Sequence, residues 1–414
     1  MTEAGLSHTP AAGAPVQPVR AGERLVTLDF IRGVAVLGIL FANITAFGQP
    51  YMAYFWPPAL VEPATGGDKL VWLFQAIFVD NKFRGLFSLL FGAGIYLFLQ
   101  RASERGLGHS LQFRRLVVLL AFGLLHYFLI WRGDILTVYA VAGMFALPML
   151  DWTARKQLYV GVASYVSGLV VMIALLGAAG GAELGSPKAA QDALDQARAE
   201  SLLYREGSYA EIVQAAVSEH SGQLPQEVVL VVSTETLPLM LIGAALFRMG
   251  LFSGGMDPAR LRRWGWIGVT VGALATVPIA LWPYRADFPF GLTLFVFNGL
   301  ARVGQLPMVL GLAALLSLWA PNAVRGWLGS CFAAAGRMAF SNYLGTSVLM
   351  MFVFHGWALG LFGQLGRVEL LGVVLAAWAL MLAWSPAWLV RFRYGPLEWL
   401  WRCLTYGRVF ALLR

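Results

Sequence analysis

Long apolar runs recur along the chain, separated by short polar stretches. A helix rising 1.5 Å per residue needs about 20 mostly apolar residues to cross a bilayer's hydrocarbon. Runs near that length fall at 26–48, 84–101, 114–131, 134–151, 157–181, 228–248, 264–284, 291–319, 338–358 and 368–390. The expected fold is therefore all-α, a polytopic transmembrane helix bundle of about ten spans. One further apolar piece, KLVWLFQAIFV at 69–79, is too short to cross and is expected as an interfacial or re-entrant helix.

The polar stretches divide the chain. Residues 1–24 are polar and rich in Ala, Pro and Gly, the composition of a disordered leader. The run after them is longer than a signal-peptide core and lacks a clear small-residue cleavage site, so it reads as an uncleaved first span. A first bundle of about five spans is expected over 25–181 and a second over 228–391. Between them, 182–227 carries Ser186 as an N-cap, Pro187 at N1, and Leu194, Ala197, Leu202 and Ile212 at spacings that suit short amphipathic helices. This excursion is expected as a helical cap that either shields a site or packs. In the tail, 392–414, Pro396 suits a first helical turn, and Trp399, Trp401 and Leu404 alternate with Arg402 and Arg408. That pattern predicts an amphipathic helix on a membrane surface.

Composition and charge sharpen this picture. Charged residues make up 13% of the chain and hydrophobic ones 58%, whereas soluble domains carry about 25% charged residues. Of the 30 lysines and arginines, nineteen fall in segments on the same side as the N-terminus and nine on the other. Arg32 and Arg302 lie within spans. Positive charge gathers on the cytoplasmic side, so a multi-pass protein of the bacterial inner membrane is expected, with both termini cytoplasmic. The net charge of +8 then meets membrane lipid and not nucleic acid, since no basic stripe lies on a water-facing domain. Cys331 and Cys403 are the only cysteines, and His8, His109, His126, His220 and His355 are scattered, so neither a disulfide framework nor a metal site is expected, and no bound cofactor. No internal repeat is visible, which counts against transporter folds built on inverted halves.

Ionisable groups at bilayer depth cost several kcal/mol and need a partner or a purpose. Asp29 and Arg32 share a face at i, i+3, as a structural ion pair or as an anion site on a cytoplasmic cavity. Asn43 follows eleven residues on, about 16 Å farther and near the same face. Arg302, deep in the eighth span, must line a cavity or meet a carboxylate, for which Glu235 is available. Lys82 and Arg84 are expected at the outer mouth of the second span, suited to an anionic group. In GLLHYFLIWRGDILTVYAVAG, His126 precedes the turn Trp131-Arg132-Gly133-Asp134, and Tyr139 follows it. Folding the hairpin brings Asp134 or Tyr139 within reach of the imidazole, either to orient a general base or to close a helix pair. His355 is expected to reach interfacial water. Ser341, Asn342 and Tyr343 are polar enough to line a cavity or to bond between helices.

Five segments carry a resemblance: RLVTLDFIRGVAVLGILFANI, NKFRGLFSLLFGAGI, GLLHYFLIWRGDILTVYAVAG, GRMAFSNYLGTS and YGPLEWLWRCLTYG. In this order they resemble the YeiB-like family of bacterial membrane proteins, a domain of unknown function. That family is similar, at a distance, to transmembrane acyltransferases, among them envelope sugar O-acyltransferases and the lysosomal enzyme that acetylates the terminal glucosamine of heparan sulfate. The resemblance implies acyl-CoA as a cytoplasmic donor and an acceptor glycan or lipid on the far side. The Arg-Gly-x-Ala pattern of the first helix recurs as Arg32-Gly33-Val34-Ala35. Where the envelope enzymes place a catalytic histidine eleven positions after that arginine, this chain has Asn43, and the loop after the first span holds no histidine. The implied activity therefore needs His126 to take over as base, oriented by Asp134 or Tyr139, or Asn43 to act only by hydrogen bonding. Arg32, Lys82, Arg84, Trp131, Glu235 and Arg302 are then the candidate binding residues. Transport or lipid handling of an anionic solute is the alternative, and a structural or partner-binding role the third; the oligomeric state stays open.

Overall fold

A computed structural model describes residues 26–414 except 105, 183 and 184. The leader expected over 1–24 lies outside the described residues. Among those described, helices account for nearly all regular structure, with one isolated bridge between Phe392 and Leu413. Eight helices are long and apolar enough to cross a membrane, and three shorter apolar ones cover 136–149, 290–303 and 339–354. The chain is a multi-pass helical membrane protein.

The first helix, α1 (Val26–Gly48), is apolar on almost every face and lies buried at the centre. The face where it starts is here called basal, and the face where it ends, apical. The chain continues through α2 (Tyr51–Phe55), α3 (Gly66–Phe78), α4 (Lys82–Ser103), α5 (Gly108–Leu129), α6 (Leu136–Ala146) and α7 (Ala154–Ala182). The excursion forms α8 (Pro187–Glu206) and α9 (Tyr209–His220). Ser186 caps α8 as its sequence suggests, its hydroxyl accepting the Ala189 N–H. Ala193 and Ala197 of α8 pack into an apical apolar cluster with Trp56 and Trp72.

The second half comprises α10 (Leu224–Val231), α11 (Leu237–Arg248), α12 (Pro258–Arg285), α13 (Phe290–Asn298), α14 (Gln305–Ala323), α15 (Trp327–Arg337), α16 (Ala339–Phe354), α17 (Arg367–Arg391) and α18 (Pro396–Tyr406). Without a hydrophobic drive between helices in lipid, close packing holds such a bundle together, and small residues permit it. A Cβ on Gly243 would stand 1.9 Å from the carbonyl oxygen of Leu89, and one on Gly33 1.9 Å from that of Phe332. Backbones therefore touch where α11 crosses α4 and where α15 crosses α1.

Among the described residues four traverses are interrupted, and the polar residues gather at the interruptions. Residues 69–79 belong to α3, which joins α4 through a break at Asn81, whose φ is +65°. A π turn, Val232–Thr236, separates α10 from α11. The single span expected over 291–319 is two helices, parted by Gly299 and a 3-10 turn, Leu300–Val303, that contains Arg302. The span expected at 338–358 runs beside α1 only as the second part of a traverse that α15 begins and Met338 bends.

Candidate functional site

A chamber of about 370 Å³ lies among α1, α4, α5, α6, α16 and α18. Its body is apolar, with Val36, Ile39, Leu90, Phe91 and Leu119 among its walls. Its basal end is ringed by Arg32, Arg101, Arg115, Arg337, Arg393 and Arg402, against the carboxyl groups of Asp29 and Glu398. Arg393 is exposed, so this end meets solvent. Arg32 donates to Asp29 across 3.0 Å, the i, i+3 pair its spacing predicts, and still borders the chamber. The ion pair expected from the spacing is thus present, and it sits on the chamber wall.

Helix α18 walls this mouth, a role its amphipathic pattern alone did not reveal. Interrupting the α15–α16 traverse leaves N–H groups at the start of α16 without helical acceptors. Glu398 supplies them, accepting from the N–H of Phe340 at 2.9 Å, the N–H of Ser341 at 3.1 Å and the Ser341 hydroxyl. Burial nonetheless raises this carboxyl above the ordinary glutamate range, the hydrogen bonds opposing it in part. Arg115 lies between the rings of Phe98 and Trp401, 4.5 and 4.3 Å from their centroids. The Trp401 indole donates to the Arg115 carbonyl. Asn342 spends its polarity between helices, donating to the Ala335 carbonyl and to Ser385.

At its far end the chamber stops at Ile135, Leu136, Tyr139 and Tyr343. Immediately behind Tyr343 is His126, ring centroids 5.3 Å apart. The Nδ1–H of His126 donates to Oδ1 of Asp134 across 2.9 Å, and both side chains are wholly buried. That tautomer leaves Nε2 as the basic nitrogen, buried and without a hydrogen-bond partner among the described residues. The second oxygen of Asp134 accepts the Thr137 N–H at 2.7 Å and so fixes the start of α6.

Several expected site residues stand elsewhere. Tyr139 does not orient His126: its hydroxyl donates to the Arg84 carbonyl at 3.1 Å and accepts from Ser88, because α6 turns it toward α4. Lys82 is not at an outer mouth; it is fully buried, with Nζ donating to the Ala76 carbonyl at the α3–α4 break. Arg84 is likewise turned inward, with two bonds to Glu235 at 2.7 and 3.2 Å. Arg302 lies 3.3 Å from the same carboxylate and donates to Thr234, and Gln305 adds 2.9 Å to Oε1. Glu235 is thus the meeting point of three interrupted traverses, a closed polar joint outside the chamber. Trp131 stacks on Phe47 at 4.0 Å, on the other side of His126 from the chamber. Asn43 is half-buried and continues the α1 face of Arg32, Val36 and Ile39 by helical register, beyond the chamber's end. His355 does not reach water; it is buried against Tyr204 and Trp357.

The fold and this site define a helical membrane protein with an arginine-ringed chamber on one face and a buried histidine–aspartate pair at its end. The chain belongs to the YeiB-like family of membrane proteins: it is 33% identical to the "Uncharacterized protein YeiB" of Escherichia coli over 92% of its own length and 96% of that protein's. It is 29% identical to the "Uncharacterized protein YxaH" of Bacillus subtilis over 94% of this chain and 96% of that one. The family described as "Protein of unknown function (DUF418)" matches residues 246–408, which include Arg302, Tyr343 and α18. No solved structure matches the chain.

Proposed function

We propose that this protein is a membrane acyltransferase whose basal chamber binds the donor, an acyl-CoA, and whose His126–Asp134 pair acts on an acceptor from the opposite side. One observation carries this reading: an apolar chamber has its solvent end ringed by arginines, Arg32, Arg115 and Arg393 among them. Such a site suits a ligand with an apolar chain and a polyanionic head. Its volume falls in the range of small-molecule sites, and arginine forks match phosphate oxygens. In this reading the basal face is cytoplasmic, the chain crosses the inner membrane about ten times, and both termini are cytoplasmic, as the positive-inside bias supports.

In the reaction, Nε2 of His126 takes the proton of an acceptor hydroxyl or amine while its oxygen or nitrogen bonds to the thioester carbon. The C–S bond breaks, and the departing thiolate of CoA receives that proton from the imidazolium. Asp134 holds the tautomer. Asn43, on the Arg32 face of α1, is the candidate amide donor to the developing oxyanion.

Anionic lipid offers the same chemistry of apolar tail and phosphate head, so lipid handling is the second reading, and it needs no work from His126. The discriminating experiment follows CoA thiol release from acyl-CoA by purified protein in nanodiscs loaded with inner-membrane lipid and envelope glycan. The acyltransferase reading predicts release that Arg32→Ala and His126→Ala each lower by tenfold or more. Release absent throughout, with saturable anionic-lipid binding sensitive to Arg32→Ala alone, supports lipid handling and removes the enzyme.

A further inference from the structure

On the apical side of His126 is a second, much smaller void of about 10 Å³, room for a single water, bordered by Phe47, Trp131, Arg132, Glu200, Tyr204 and Met350. Its surroundings are polar in a specific way. Arg132 lies over the Tyr51 ring at 4.0 Å, and Glu200 of α8 accepts the Tyr51 N–H at 3.0 Å. Burial raises the Glu200 carboxyl above its usual range. The chamber and this crevice share two helices in register. On α16, Tyr343 faces the chamber while Ser347 and Met350 face the crevice; on α1, Val36 and Ile39 face the chamber while Ala46 and Phe47 face the crevice. Tyr343 to Ser347 is one turn, about 6 Å of rise, and Ile39 to Ala46 is two turns, about 10 Å. The two voids are therefore separated by a thin stratum, and the His126–Asp134 pair lies in it.

Each side of that stratum is closed by one aromatic ring. Tyr343 borders the chamber and packs on His126; its hydroxyl accepts the Ile135 N–H at 3.2 Å and donates to the Gly133 carbonyl at 3.4 Å. Trp131 borders the crevice, and its centroid is 6.4 Å from that of His126. Its Nε1 donates to the Ala46 carbonyl at 3.3 Å. These bonds run from 3.2 to 3.4 Å, at or beyond the long end of the usual range. Rotating Tyr343 gives up two of them and its packing on His126; rotating Trp131 gives up the third and its stack on Phe47. What the rings enclose is an imidazole nitrogen with no hydrogen-bond partner among the described residues, a state that costs free energy when permanent.

We propose that Tyr343 and Trp131 are the two leaves of a gated partition, Tyr343 opening His126 to the chamber and Trp131 opening it to the apical crevice. Deepening the acyltransferase reading, and resting on it for the donor's identity, this makes the crevice the acceptor's entrance. Closure of both leaves keeps water from an activated thioester. The recognising groups at the entrance are an arginine, a carboxyl group and aromatic faces, which suit a polar, hydroxyl-bearing acceptor.

The test is chemical modification of His126 by diethylpyrocarbonate in the full-length protein, read by peptide mass spectrometry. His109, whose side chain is 48% exposed, is the internal reference. In the wild type His126 should react at least tenfold more slowly than His109. Tyr343→Ala should accelerate it at least tenfold, with palmitoyl-CoA in the chamber restoring protection. Trp131→Ala should accelerate it as much, with palmitoyl-CoA giving no protection. Tyr343→Leu and Trp131→Leu, which keep more of the packing, replace any alanine variant that fails to fold. Acceleration without protection by palmitoyl-CoA upholds the partition and overturns the acyl-CoA reading alone. Wild-type His126 as reactive as His109, or no acceleration in folded variants of either ring, overturns the partition.

Discussion

Nδ1 of His126 and Oδ1 of Asp134 are 2.9 Å apart in a wholly buried pair, and the other oxygen of Asp134 takes the Thr137 N–H at 2.7 Å. One carboxylate thus fixes a tautomer and starts a helix, and the two duties separate by substitution. In Asp134→Asn the amide oxygen can still accept from Thr137, but an amide N–H toward Nδ1 forces the opposite tautomer and removes the basic Nε2. Thermal stability in detergent should fall by no more than about 1 kcal/mol, while thioester consumption drops on the order of 100-fold or more. Asp134→Ala should lose both.

Glu235 holds two arginines and a glutamine across three interrupted traverses. Removing it by Glu235→Ala leaves the buried Arg302 and the partly exposed Arg84 without their carboxylate, a loss of about 3–5 kcal/mol by analogy with broken buried pairs. Arg32→Ala, at the solvent end of the chamber, should cost less than about 1 kcal/mol. Thermal unfolding of the two variants side by side checks the contrast.

Close helix contact predicts a second contrast. A methyl at Gly243 meets the Leu89 carbonyl oxygen at 1.9 Å, whereas one at Gly372 meets nothing within 4 Å. Gly243→Ala must push α11 from α4 and should destabilise by about 1–3 kcal/mol. Gly372→Ala, within α17, should be neutral or raise the melting temperature, since alanine favours helix. Melting curves of the pair decide it.

The long apolar helices are legible because apolar length is a one-dimensional signal, and Asp29–Arg32 because i, i+3 spacing fixes a shared face. His126 with Asp134 was legible for the same reason: a tight turn leaves few ways to fold. Pairing between distant helices was not. Glu235 was only one available counter-charge for Arg302, and nothing local shows that Arg84 joins them. Lys82 was misplaced because charge bias assigns a side of the membrane, not a depth, and the Asn81 break carries it inside. The interruption at Gly299 is invisible in a run whose apolar residues continue past it. The amphipathic pattern of α18 also describes a helix that packs its apolar face on protein, here at the chamber's mouth.

The central claim is that the arginine-ringed chamber takes an amphipathic anion of the acyl-CoA class. Equilibrium binding of palmitoyl-CoA to the full-length protein in neutral-lipid nanodiscs tests it most directly. The expected result is one saturable site, weakened by added salt and weakened about tenfold or more by Arg32→Ala, the loss of one charge-assisted contact. Binding that is absent, that never saturates, or that is indifferent to Arg32 would contradict it.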